Sequence, residues 1–235
     1  MKVVQLFVYP VKSLQGIAMQ RSEVVPNGLV GDRSHALRDV STGVVLTGRR
    51  DPPLLMASSI RSASAGTSVR LPSGVITRDT AELSAWLGRP VELVDTNDEP
   101  SIYEINLDFE DDDSAVQQWQ GPVGSFHDST RIQISIIATG DLRKWDVRRF
   151  RPNVLVEADS MDHLIGRRVR LGTAEIEIVK SIDRCVMVTR PQPGGIERDL
   201  DVLRTINAER DSLLGIGGLV RATGTVSIGD HLTVV

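Results

Sequence analysis

The one thiol of the chain is Cys185, within SIDRCVMVTR, which runs from Ser181 to Arg190. A lone cysteine is as a rule a small buried hydrophobe. Here Arg184 precedes it, and a positive neighbour favours the thiolate, the form that binds metals and attacks electrophiles. That stretch alone leaves both readings open. Four other stretches carry groups suited to a phosphate-bearing ligand. YPVKSLQG offers Lys12 and Ser13 straight after a strand, and GLVGDRSHAL offers Arg33 after Gly31 and Asp32. HDSTRIQIS offers Asp128, Ser129 and Thr130 in front of a strand, and RRFRPNVLVE offers Arg151 and Asn153 on either side of Pro152. Lys and Arg neutralise phosphate, hydroxyls complete its hydrogen bonds, and Asn pairs with a heterocycle edge. Taken singly, an Arg before a strand is an ordinary rim charge and a Ser-Thr pair an ordinary turn former.

Other chemistries are bounded by what the chain lacks. One cysteine excludes an intramolecular disulfide, and any zinc site or cluster held by several cysteines of this chain. The histidines, His35, His127, His163 and His231, show no metal-ligand spacing and read as core or surface residues. His127 stands apart because Asp128 follows it.

Net charge is −4, unevenly spread. Residues 90 to 130 hold no Lys or Arg and eleven of the 31 acids, so elsewhere 27 basic side chains face 20 acidic ones. The acids centre on LDFEDDD, Leu107 to Asp113. Such a run reads as a solvated loop, or more sharply as a docking patch or lid. The basic remainder carries no nucleic-acid recognition motif and no interleaved aromatics, and the sequence pI is near 5.6. A small anionic ligand suits it better than nucleic acid. The apolar start MKVVQLFVYP is too short for a signal peptide or a membrane span. A free thiol fits a reducing cytoplasm.

The elements that must position these groups are mostly strands, because the apolar period is mostly two. Strands are expected over Val3–Pro10, over Arg33–Arg38 with a return through Thr47, and on both sides of Pro72-Ser73-Gly74. Further strands are expected over VELVD, Arg131–Ile137, Arg151–Ala158 and Ala174–Ser181, and two more around Ile228-Gly229-Asp230. A helix starts at Asp79 or Thr80, turns Leu83, Trp86 and Leu87 inward, and stops at Gly88. TGDLRKW reads as one or two helical turns. A second helix is expected over Arg198–Arg210, with Leu200, Leu203 and Ile206 on one side. The fold class is mainly β (α+β): a β-barrel with a few short helices. The expected division is a β-rich N-terminal segment over 1–95, an acidic linker over 96–126 and a C-terminal domain over 127–235.

Taken together, YPVKS, GDR (Gly31 to Arg33), FRPN (Phe150 to Asn153), LIG (Leu164 to Gly166), Arg184-Cys185 and IGD (Ile228 to Asp230) resemble the MOSC superfamily. The resemblance spans nearly the whole chain. It is to the branch with an N-terminal MOSC barrel segment, which holds the amidoxime-reducing components and bacterial relatives. It implies a MOSC-type β-barrel and a molybdenum pyranopterin (molybdopterin-type) cofactor whose metal is bound by Cys185. It implies Lys12, Ser13, Arg33, Ser129, Thr130, Arg151 and Asn153 as holders of the phosphate and pterin, with Asp128 near the metal. A soft thiolate suits a sulfur-ligated metal, and Arg184 would lower the thiol pKa if it points the same way. Neighbouring strand positions would instead face apart. A family-level association with pyridoxal phosphate comes with the resemblance too.

The relatives follow the cysteine with a Thr-x-Asp-Pro segment, whereas this chain has Thr189, Arg190, Pro191 and then Gln-Pro-Gly-Gly. Arg190 is thus a candidate for drawing anionic substrates or resting on the cofactor. Two readings follow. The first is an oxidoreductase acting on N-hydroxylated or N-oxygenated compounds, with electrons from a separate reductase, ferredoxin or cytochrome b5-like protein. The second is a molybdenum-cofactor carrier, or a persulfide carrier using Cys185. Neither calls for nucleic acid or membrane.

Overall fold

The computed structural model describes residues 1–62, 64, 66–106 and 115–235. The centre of the acidic block, Leu107–Asp113, lies outside the described residues. The fold is mainly β, with two short α-helices and a central sheet curled into a half-barrel. Eight strands build that sheet, in the order Leu232–Val234, Arg168–Leu171, Ala174–Asp183, Leu213–Ala222, Ile134–Ala138, Val154–Glu157, Lys2–Val8 and Ile17–Ala18. Neighbours run antiparallel except Ile134–Ala138 and Val154–Glu157, which are parallel. Parallel strands need a crossover, and here it carries the short 3-10 turns Gly140–Leu142 and Val147–Arg149.

The start of the chain is woven into its end. Lys2–Val8 pairs with Val154–Glu157. Arg21–Val25 pairs with Gly224–Ser227. The main core joins Val3, Leu6, Val8, Val24 and Leu29 to Ile134, Val154, Ile176, Ile216 and Leu232, all essentially buried. A second core gathers Val11, Leu14, Leu37, Leu54, Leu83 and Val91. It lies under His35–Asp39, which pairs with Val91–Asp95, and beside the sheet Ser58–Ser62, Gly66–Arg70 and Ile76–Thr77. Within the expected linker, Ile102–Asn106 and Val116–Gln120 pair as antiparallel strands.

The first helix, Thr80–Leu87, starts as its cap requires. The Asp79 carboxylate accepts from the Ala81 and Glu82 amides at 2.9 and 3.0 Å, and Gly88 ends it with φ 70°. The return arm expected from the Arg33–Arg38 hairpin is reduced to Val44–Leu46, hydrogen-bonded to Asp39 and Leu37 without forming a strand. His35–Asp39 takes its strand partner from Val91–Asp95 instead. The second helix begins at Asp201, three residues later than expected, because Asp199 accepts from the Asp201 amide at 3.0 Å and turns the chain first. Leu200 therefore sits at the cap, 39% exposed, and Val202 and Ile206 fill the buried face.

One buried titratable group ties this frame together. His127, 6% exposed, places Nε2 3.2 Å from the Asn27 carbonyl, which fixes Nε2 as the donor. Burial, then Arg33, push its pKa down to about 4. An ordinary histidine titrates near 6.5. Between those values the unfolded chain holds the extra proton, so stability falls as pH is lowered from about 6.5 to about 4. The urea midpoint should drop across that window, and His127→Gln should remove up to about 3 kcal/mol of the pH dependence. Equal slopes in the two proteins would exclude His127 as the source.

Candidate functional site

A cavity of about 180 Å³ opens where the ends of the central strands meet the N-terminal segment. Lys12, Ser13, Arg33, Asp128, Ser129, Arg151, Asn153 and Cys185 all line it. Thr130 does not; it is exposed outside the lining. Arg190 does not line it either. Residues as far apart as 12 and 185 are thus brought to one place.

Three of these residues sit in left-handed backbone: Ser13 at φ 67°, Arg33 at 46° and Arg151 at 53°. Non-glycine residues adopt that region rarely, and such strain concentrates where side chains must be aimed. Ser13 follows the first strand, and its Oγ accepts from the Gly48 amide at 2.8 Å. A Cβ at Gly48 would lie 3.4 Å from the Ser13 Cβ and 2.9 Å from the Met187 methyl, so these segments pack closely here. Asn153 is 1% exposed and bonded mainly to backbone. Its Oδ1 accepts from the Ser135 amide and hydroxyl at 3.0 and 2.9 Å, and its Nδ2 donates to the Phe7 carbonyl at 3.3 Å. One amide hydrogen is left for a ligand.

The cations are held by rings, carbonyls and a few acids. Lys12, 4% exposed, donates to the Phe126 carbonyl at 3.0 Å and pairs with Asp128 at 2.5 Å. Its ammonium also lies 4.6 Å from the centre of the Tyr103 ring. Burial lowers its pKa, and Asp128, exposed at the rim, counters that. Arg33 pairs with Asp32 at 2.5 Å and donates to the Arg151 carbonyl at 3.2 Å. The guanidiniums of Arg33 and Arg151 lie 4.7 and 4.4 Å from the centre of the Tyr9 ring. Arg151 Nη1 is buried without a hydrogen-bond partner, and burial pushes this guanidinium down to about 10, still charged at neutral pH.

The strand Ala174–Asp183 ends just before Arg184, so strict strand alternation does not govern Arg184 and Cys185. Cys185 is half-buried, and it opens the 3-10 turn Val186–Thr189, its carbonyl accepting from the Val188 amide at 3.1 Å. The Arg184 guanidinium is committed to backbone. It donates to the Leu214 carbonyl at 2.6 and 2.8 Å and to the Phe150 carbonyl at 2.9 Å. Burial lowers its pKa to about 10, and Cys185 is the first of the groups that oppose this. Its hydrogen bonds hold the backbone on either side of the cleft.

Sequence reasoning missed Tyr9, Asp32, Tyr103 and Arg149 as parts of this site. Tyr9 and Asp32 lie inside the YPVKS and GDR stretches, and their hydrogen bond, Tyr9 amide to Asp32 Oδ1 at 2.7 Å, joins the two. Tyr103 lies beside the acidic block and gave no signal of its own.

The chemistry this arrangement supports is anion binding beside a soft sulfur ligand. The MOSC N-terminal beta barrel domain matches residues 1–121 and the MOSC domain matches residues 125–233. Mitochondrial amidoxime reducing component 2 of Bos taurus is 24% identical, over 97% of this chain and 81% of that protein. The Homo sapiens protein of the same name is 25% identical, over 97% and 82%. Among solved structures, the YUAD protein from Bacillus subtilis aligns over 98% of this chain and 93% of its own, with 13% identity and a TM-score of 0.44. YiiM from Geobacillus stearothermophilus aligns over 52% and 67%, with 15% identity and a TM-score of 0.38. With both domain models matched in order along its length, the chain belongs to the MOSC family, in the form that carries the MOSC N-terminal beta barrel.

Proposed function

We propose that this chain binds a molybdenum pyranopterin cofactor and reduces N-hydroxylated or related N-oxygenated compounds, with electrons from a separate donor. The observation that carries the reading is that the one thiol of the chain shares a cleft with Lys12, Arg33, Arg151 and Arg184. The donor set fits the cofactor. Among the described residues no group of three His, Cys, Asp or Glu side chains could hold a metal ion. A metal here must bring most of its ligands with it, which a pterin dithiolene does. A thiolate suits a metal already bound by sulfur. The unpartnered Nη1 of Arg151 fits an anionic group beside it.

On this reading Cys185 supplies the protein's bond to the metal. Lys12, Arg33 and Arg151 neutralise the terminal phosphate, Ser13 and Ser129 complete its hydrogen bonds, and Asn153 offers its remaining amide hydrogen to the pterin. Thr130 would join them only by turning in from the rim. When bound, the cofactor supplies two-electron removal of the N-bound oxygen, which leaves as water. Asp128, at the mouth and paired with Lys12, would stand near the metal as a fixed negative charge. The reaction class is supported by the name of the relatives, amidoxime reducing components. Electrons would come from a reductase, a ferredoxin or a cytochrome b5-like protein. No helix among the described residues is long and apolar enough to cross a membrane.

Protein made in cells that produce the cofactor should hold about one molybdenum per chain and turn over an N-hydroxylated base with a reduced dye. Molybdenum without turnover would mean a carrier. Cyanide-releasable sulfur without molybdenum would mean a persulfide carrier. Cys185→Ala should lose the metal while shifting stability by no more than about 1 kcal/mol, since one small side chain at a rim contributes little. Full metal content in that variant would remove Cys185 from the site. Arg151→Ala should weaken cofactor retention about tenfold, the effect of one hydrogen bond to a charged group. Unchanged retention would place the phosphate elsewhere.

A further inference from the structure

Arg149 is 8% exposed and makes no ion pair among the described residues. A guanidinium buried without a carboxylate is costly unless its donors are satisfied. Its donors go to main-chain carbonyls of the segment that follows Cys185. Nη1 donates to Val188 O at 3.1 Å and lies 3.5 Å from Arg190 O, and Nη2 donates to Glu197 O at 2.7 Å. The end of a 3-10 turn leaves such carbonyls without partners. Arg149 closes the turn Val147–Arg149, just before Phe150 and Arg151. From the opposite side, Arg184 donates to the Phe150 carbonyl at 2.9 Å. Each segment thus lends the other an arginine, with Cys185 on one and Arg151 on the other.

We propose that Arg149 is a positioning residue: this reciprocal clasp sets the spacing between the Cys185 sulfur and the anion-binding arm at Arg151. The proposal rests on the cofactor reading above, because only a ligand that spans both groups needs that spacing fixed. The fork of the guanidinium is essential, since an ammonium at the end of a lysine stem cannot reach two separate carbonyls in one plane.

The test uses full-length Arg149→Lys and Arg149→Met proteins. In cofactor-free protein, amide exchange over residues 186–199 should speed about tenfold in both variants, as loss of one charge-assisted hydrogen bond implies. Exchange over residues 168–178 should not change. Retained molybdenum should fall about tenfold on the same grounds, while affinity of cofactor-free Arg149→Lys, which keeps the charge without the fork, for inorganic pyrophosphate stays within about twofold. That split separates spacing from general loss of structure. Unchanged exchange overturns the proposal. So does a joint loss of metal and pyrophosphate binding in Arg149→Lys, or wild-type behaviour in that variant. If Arg149→Met does not fold, Arg184→Lys tests the other half of the clasp by the same measurements. If wild-type protein takes up no molybdenum, the cofactor reading fails, and the exchange result alone decides the clasp.

Discussion

Burying positive charge is the constraint on which this site is built. Lys12, Arg33, Arg149, Arg151 and Arg184 all line one cleft. Each loses hydration there, and a cation moved from water without compensation is strongly disfavoured. Among the described residues only Asp32 and Asp128 face them as direct ion-pair partners. The rest of the compensation comes from main-chain carbonyls and aromatic faces. The chain has just two tyrosines, and each lies under one or two of these cations: Tyr9 beneath Arg33 and Arg151, Tyr103 beneath Lys12. A ring face attracts a cation without neutralising it. The cleft therefore stays positive while its cations are held still.

Holding them still requires backbone that the sequence would not choose locally. Ser13, Arg33 and Arg151 take left-handed conformations that cost about 1 kcal/mol or more each. The frame that enforces this is the weave of the N-terminal strand into the C-terminal sheet. Lys2–Val8 pairs with Val154–Glu157, so the turns that carry Lys12–Ser13 and Arg151–Asn153 leave neighbouring strands. The Tyr9–Asp32 hydrogen bond and the Arg33–Arg151 carbonyl contact then lock the third turn to those two. Removing the first strand would scatter the site even though the thiol lies some 180 residues away.

Local signals were legible where physics is local. The alternation of VVQLFV, the Asp79 cap and the Gly88 stop appear in the structure much as read, because each depends on residues within a turn or two. Leu200 was misplaced because an Asx turn at Asp199 delayed the helix, and a helical period carries no mark of where its first turn begins. Residue type marked Lys12, Arg33 and Arg151 as suited to phosphate, but only resemblance joined them to Cys185; no spacing in the sequence announces contacts between residues more than a hundred positions apart. Arg149 and Tyr103 were unreadable for the same reason. An arginine beside two other arginines reads as solvated charge until the carbonyls it serves, up to 48 residues later, are in view.

On the proposed reading, the same partition lets one thiol suffice, since no group of three potential metal-binding side chains stands together among the described residues. Its histidines are engaged elsewhere or away from the cleft: His35 lies 2.5 Å from Asp95, and His127, though at the cleft wall, is turned to the Asn27 carbonyl and kept neutral by burial. The lining offers a metal one thiol, Cys185. What the lining offers besides is positive charge, held by ring faces, by two carboxylates and by guanidinium–carbonyl contacts. On the proposed reading, the protein's contribution is therefore geometry and electrostatics, and the redox chemistry belongs to the group it holds.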